Sequence, residues 1–289
     1  VFAGLLIQEL GAEEQRQAYL PRIVSGDMIG TVALSEPAAL YDTRFFETQA
    51  TDQGNGAWLL SGAKAFVPNA HLADPLIVIA RTSNGPADKG LTAFLVSPTA
   101  AGVTMTPQAT FDKSKQSIVR FQDVALDANG VLGCEVGVGT AGPALTSVLQ
   151  KVTALQCMEM VGGAQAVLDR TVDYVKTRVQ FGRPIGSFQA VQHHIANMST
   201  QLDGARLASY QAVWRLANGL PAEREVAIAK AWTGEAYKSI TVMAHQLHGG
   251  MGYVRETDLH LWSQRAKATE LFLGTRDDHL KVLATQIGL

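Results

Sequence analysis

The sequence predicts an α+β protein in which a β-rich stretch is followed by a bundle of long helices. Three observations lead there. Between residues 30 and 129, short β-prone runs alternate with Gly, Pro, Asn and Asp clusters. After Pro143 that punctuation gives way to long stretches with apolar residues at helical spacing. A chain of 289 residues that is 47% hydrophobic and 17% charged can bury one large core or two modest ones, which excludes a disordered chain.

Taken in order, the first 23 residues read as the tail of one helix, a turn at Gly11 and a second short helix ending near Ser25, Gly26 and Asp27. The basic, apolar, small-residue order of a signal peptide is missing, and a chain that begins within a helix is expected to have lost an earlier segment. β-Prone runs follow at 31–34, 58–60, 76–80, 91–96, 103–106 and 118–121. No helical crossover of about a dozen residues separates them, so an antiparallel barrel or sandwich is expected and a Rossmann arrangement is disfavoured. The glycine-rich stretch 127–142 reads as the connection out of this domain; it holds neither a GxGxxG nor a Walker pattern. Beyond it, Leu145, Val148, Leu149, Val152 and Leu155 start an apolar stripe that Val161, Ala164, Leu168, Val172 and Val175 continue to a turn at Phe181 and Gly182. Helical stretches are then predicted over 187–218, 222–247 and 257–273, with a short one near the carboxyl end. Helices this long, joined by short turns, form an antiparallel bundle.

Composition narrows the function classes. Lys plus Arg total 24 against 26 Asp plus Glu, a net charge of -2, which argues against a nucleic-acid partner. Cys134 and Cys157 lack CxxC or Cys/His spacing, so neither a metal site nor a disulfide scaffold is expected, and a reducing, cytoplasmic setting fits. No run reaches the roughly 18 to 20 apolar residues of a membrane span.

Four patterns then occur in one order: Leu34, Ser35, Glu36, Pro37; Gly62, Ala63, Lys64 with Phe66, Val67, Pro68, Asn69; Arg178, Val179, Gln180, Phe181, Gly182 with Phe188 and Gln189; and Gln246, Leu247, His248, Gly249, Gly250, Met251, Gly252. Together they resemble the acyl-CoA dehydrogenase flavoproteins from Ile23 to His279. The resemblance implies a remnant of an amino-terminal helical domain at 1–29, a middle β domain at 30–135 and a carboxyl-terminal four-helix-bundle domain at 136–289. It further implies FAD as cofactor, an acyl-CoA substrate and electron-transfer flavoprotein as acceptor. A homologous subunit is expected to contribute to the site in a hetero- or homo-oligomer, a dimer or tetramer.

By the same resemblance, Arg178 meets the FAD pyrophosphate, as suits a planar donor fork, with Phe181 and Gln189 beside it. Gln246, Gly249 and Gly250 let backbone approach the cofactor of a neighbouring subunit, since paired glycines permit close approach. Thr275 stands near the diphosphate or ribose, with Asp277 at a position where Gln, Ser or Glu is more usual. Leu34 and Ser35 touch the isoalloxazine ring through backbone and hydroxyl, Phe66 packs beside it, and Val67 and Pro68 complete the segment. Pro68 replaces a Ser or Thr and offers neither hydroxyl nor N–H. Tyr41 stands where a small serine is usual. Core packing is the alternative for Phe66, a surface arginine for Arg178, and a plain helix stop with a packed or solvated His248 for the glycine pair.

The family's base, a glutamate before the Gly-Thr pair, is replaced by Leu273, and the minority position on the first long bundle helix by Val152. Thr153 and Gln150 replace the residues that clamp the thioester. Glu159, Glu256 and Glu270 remain nearby, with solvated or ion-paired roles as their alternative. The pattern resembles the subunit without the glutamate in heteromeric dehydrogenases of steroid acyl-CoA esters. A self-sufficient enzyme with a displaced base and a non-enzymatic flavin-binding or assembly protein stay open.

Overall fold

The computed structural model describes residues 1–83 and 89–289. It divides into two compact units, 1–149 and 150–289. In the first, α1 (Phe2–Leu10) and α2 (Glu13–Ser25) precede the strands, and Gly26, at φ 82°, ends α2 in a left-handed turn. Gln15 anchors α2: its amide donates to Val131 O at 2.9 Å and its carbonyl oxygen accepts from Gly133 N–H at 2.9 Å.

Seven strands form one sheet: β1 (Thr31–Ala33), β2 (Gln49–Gly54), β3 (Ala57–Pro68), β4 (Leu76–Arg81), β5 (Leu91–Val96), β6 (Val103–Gln108) and β7 (Gln116–Leu126). Their order is β1-β4-β2-β3-β7-β6, with β5 paired to β4. Most pairs are antiparallel as predicted, but β4 runs parallel to β1, with Thr31 opposite Leu76, and to β2, with Gln49 opposite Arg81. The expected all-antiparallel arrangement is corrected here because the β2–β3 hairpin itself supplies the long crossover that a parallel pair needs. β4 and β5 are buried almost throughout, which explains their continuous apolar runs. Val78, Phe94, Val119 and Val124 lie in the core between the strands.

A short helix, α3 (Cys134–Gly137), leads to α4 (Ala141–Thr177), a single helix that carries the continuous apolar stripe read from the sequence. Gly162 and Gly163 do not break it. A Cβ on Gly163 would come within 2.5 Å of the Tyr237 hydroxyl, so this glycine serves close helix packing. The hairpin β8 (Val179–Gln180) and β9 (Arg183–Pro184) is followed by α5 (Gln189–Ala217), α6 (Glu223–His248), α7 (Leu259–Leu271) and α8 (Arg276–Gln286). Helix α6 is central to the carboxyl-terminal unit: Val226, Ala229, Ala236, Tyr237, Ile240 and Ala244 all enter its core, and the small residues among them let neighbouring helices approach closely. Among the described residues, no helix is long and apolar enough to cross a membrane.

Candidate functional site

In the first unit, the exit of β1 carries Leu34 and Ser35, both buried. Ser35 is tied to β3 twice: its hydroxyl donates to Ala65 O at 2.5 Å, and Ala65 N–H donates to Ser35 O at 2.8 Å. That hydroxyl therefore turns its proton inward and keeps only lone pairs for another group. One residue beyond Ala65, β3 slips register against β7 between Lys64 and Val67. Phe66 sits in that bulge at φ 55°, is 40% exposed, and donates its N–H to Gln108 Oε1 at 3.0 Å. The core-packing alternative for Phe66 is thus not what is found, because the bulge rotates the ring outward. Val67 points into the core, and Pro68 accepts at its carbonyl from the Thr31 hydroxyl at 2.6 Å.

The chain after Glu36 folds back on itself through Glu36 N–H to Leu40 O at 3.0 Å and Leu40 N–H to Glu36 O at 2.8 Å. Tyr41, half-buried, follows this loop. A cavity of about 570 Å³ opens beside it, with Glu36, Pro37, Thr48 and Arg120 in its wall, and Leu34, Ser35 and Phe66 outside it.

Behind these segments lies a feature that sequence reasoning missed. Lys64 and Glu36, 0% and 3% exposed, form an ion pair at 2.7 Å. Burial drives the Lys64 ammonium down to about 8, and Glu36 opposes that shift. Burial also works to raise Glu36, but the Lys64 charge and the hydrogen bonds it accepts outweigh it and hold the carboxyl below its usual range. Both residues stood within recognised patterns; their pairing depends on β3 lying along the exit of β1, which no local spacing reveals.

In the second unit, Arg178 follows the end of α4 and is exposed. Its carbonyl accepts from Ile185 N–H at 2.8 Å, which closes the β8–β9 hairpin around Phe181 and Gly182. Both turn residues have positive φ, 54° and 78°, as a two-residue hairpin turn demands. Phe181 stands 90% exposed, edge-on to Phe188 with ring centroids 6.0 Å apart, and Gln189 opens α5 directly afterwards. Arg178, Phe181 and Gln189 are therefore brought into one corner.

Gln246 lies exposed in the last turn of α6, and its carbonyl accepts from Gly249 N–H. Gly249, at φ 56° and ψ -136°, has a backbone conformation for which only glycine is suited, and a Cβ on Gly249 or Gly250 would meet nothing within 4 Å. His248 is packed, stacked on Tyr174 at 4.2 Å, while the Tyr174 hydroxyl donates to His248 O at 3.3 Å. Burial lowers the His248 imidazole below its ordinary value. His245 supports the same turn by donating from Nδ1 to Gly252 O at 2.8 Å. Tyr174 and His245, also missed from sequence, join with His248, packed as the plain helix-stop alternative expected, to tie the end of α4 to the glycine turn.

Helix α7 stops at Leu271, two residues short of the predicted end, so Leu273 does not share a helical face with Glu270. Leu273 is buried at φ 62°, and His279 donates from Nε2 to its carbonyl at 3.0 Å. Lys230, buried from α6, donates to Thr269 O at 2.6 Å and Glu270 O at 3.0 Å; burial brings its ammonium down to about 8. Thr275 is the N-cap of α8: its hydroxyl donates to Asp278 Oδ2 at 2.7 Å and accepts from Asp278 N–H at 3.4 Å. Asp277 is exposed in the first turn. The remaining carboxylates are engaged or solvated. Glu270 pairs with Lys267 at 2.8 Å and Lys238 at 3.3 Å, Glu159 pairs with Arg265, and Glu256 is exposed. Val152 is half-buried on α4.

Residues 31–124 match the acyl-CoA dehydrogenase middle domain, and residues 143–288 match the acyl-CoA dehydrogenase C-terminal domain. The chain belongs to the acyl-CoA dehydrogenase family. It is 34% identical over 283 residues to the human mitochondrial short-chain specific acyl-CoA dehydrogenase, covering 96% of this chain and 67% of that protein. Among solved structures it is similar to butyryl-CoA dehydrogenase from Megasphaera elsdenii, at a TM-score of 0.92 and 30% identity over 99% of this chain and 75% of that one. The FAD complex of PigA is likewise similar, at a TM-score of 0.93 and 28% identity over 100% of this chain and 75% of that one. The fold is that of acyl-CoA dehydrogenases, a mixed α+β arrangement with a helical carboxyl-terminal domain.

Proposed function

We propose that this chain is an FAD-dependent acyl-CoA dehydrogenase subunit that supplies cofactor-binding surface and relies on a homologous subunit for the catalytic base. The observation that carries this reading is Leu273: the position that resembles the family's base holds a buried aliphatic side chain, and Glu270, on the helix before it, is held by two lysines. The residues present fit the cofactor. Arg178 is an exposed guanidinium on a rigid hairpin, a natural partner for a diphosphate. Gly249 and Gly250 present backbone with nothing in front of it, and Phe66 offers a flat face turned out of the sheet.

When bound, FAD supplies the acceptor for the β-hydrogen of the acyl thioester, which leaves as hydride. The chain's own part is to hold and orient: in the first unit Leu34, Ser35 and Phe66 would set the plane of a ring, and in the second Arg178 would meet a diphosphate while the Gly249–Gly250 backbone would approach the cofactor of a neighbouring subunit. Removal of the α-proton needs a carboxylate, and this reading assigns it to the partner. A hetero-oligomer, an acyl-CoA substrate and electron-transfer flavoprotein as acceptor belong to the same proposal. The test is to purify the chain alone and co-expressed with a homologous subunit that retains the glutamate, and to measure FAD per chain and acyl-CoA dehydrogenation. The expected result is a stable flavin-containing complex that is active only when both chains are present. A colourless chain in both preparations overturns the proposal.

A further inference from the structure

The Glu36–Lys64 pair has no part in the chemistry proposed above, yet it occupies the interior of the β unit. Withdrawing two charges from water is costly, and mutual attraction alone seldom makes such a pair a net gain over apolar side chains. What distinguishes this pair is what it holds. Lys64 Nζ donates to Leu34 O at 3.1 Å as well as to Glu36 Oε1, and it lies 4.0 Å from the centre of the Phe46 ring. The Glu36 carboxylate accepts from the backbone N–H of Glu47 at 2.6 Å and of Thr48 at 3.1 Å. One pair thus ties main-chain atoms at the exit of β1 and at the entry to β2 to a side chain of β3. The two Ser35–Ala65 hydrogen bonds close the same junction from the other side. Leu34 and Ser35 are thereby fixed against β3 beside the bulge that turns Phe66 outward.

We infer that Glu36 and Lys64 are positioning residues for the flavin, an internal brace that sets the Leu34–Ser35 backbone and the Phe66 ring in one fixed relation. The inference rests on the FAD reading above. The brace acts through main chain and touches no reacting atom. Its loss changes the geometry of the bound ring, whereas loss of a merely stabilising pair lowers the melting temperature and leaves a bound ring as it was.

The double variant Glu36→Gln, Lys64→Met removes both charges without leaving either alone in the interior. FAD is titrated into the apo forms of wild type and variant, in whatever subunit complex binds flavin, with affinity and the absorbance bands of bound flavin as readouts and circular dichroism as the control for folding. The expected result is affinity reduced about tenfold or more and displaced flavin bands. A folded variant with affinity within about twofold of wild type and superimposable bands overturns the inference while leaving the cofactor reading intact. Wild type that binds no FAD in any preparation removes the cofactor reading, and this inference with it. A second measurement needs no variant. On adding FAD to wild type, hydrogen exchange is expected to slow at the Glu47 and Thr48 amides together with 34–36; protection confined to 34–36 and 66–67 overturns the inference.

Discussion

At the junction of α7 and α8, burial works to raise the Glu270 carboxyl, but hydrogen bonds from Lys267 and Lys238 outweigh it and hold the group below its usual 4.5. A carboxylate held in this way is a poor proton acceptor near neutrality and a useful tether between α6 and α7. Glu270→Gln is therefore expected to lower stability at pH 7 by about 1 kcal/mol, because both lysines are partly exposed and water screens the pairs. Flavin reduction in the complete assembly should persist. Because the folded carboxyl titrates below 4.5, its contribution is fully present above that pH and is lost as pH falls through the lower folded value, so the two melting curves should converge in acid. Loss of turnover with full FAD retention would instead make Glu270 the displaced base. At this scale the sequence was most legible where chemistry is local: Arg178, Phe181 and Gln189 lie within one short run and meet in one corner. It was least legible at Lys64 and Glu36 or at Tyr174 and His248, whose meeting depends on distant segments.

Among the elements, α8 shows how a residue expected at a cofactor is also bound into its own helix. Thr275 and Asp278 form a reciprocal cap, with Thr275 N–H donating to Asp278 Oδ2 at 2.9 Å and the threonine hydroxyl shared with the same carboxylate. Thr275→Ala is expected to destabilise the protein by about 1 kcal/mol through loss of this cap, read as a lower melting temperature of the apo chain; an unchanged melting temperature would contradict the cap. The helices were legible because their apolar stripes persist over many turns, the longest running along α4. Strand β2, with the sequence QATDQG, was not legible: Ala50 is its buried residue, and the strand exists by pairing with β3 rather than by an alternation of its own. The parallel β1–β4 pair was hidden for a similar reason, since its crossover is made of strands.

For the molecule as a whole, the order of the four sequence patterns carried the family and the fold, because each pattern marks a place where backbone or chemistry is constrained. How far the chain acts alone is a question of assembly that local patterns answer only by what is missing from them, at Leu273 and Val152. On the function proposed, a flavin sits in a protein that has no proton acceptor of its own at either position. The most direct test is an anaerobic titration of the flavin-loaded chain with acyl-CoA esters, from butyryl-CoA to a steroid side-chain ester, first without and then with the glutamate-bearing subunit. The flavin absorbance is expected to stay unbleached until that subunit is present. Stoichiometric bleaching by the chain on its own would contradict it.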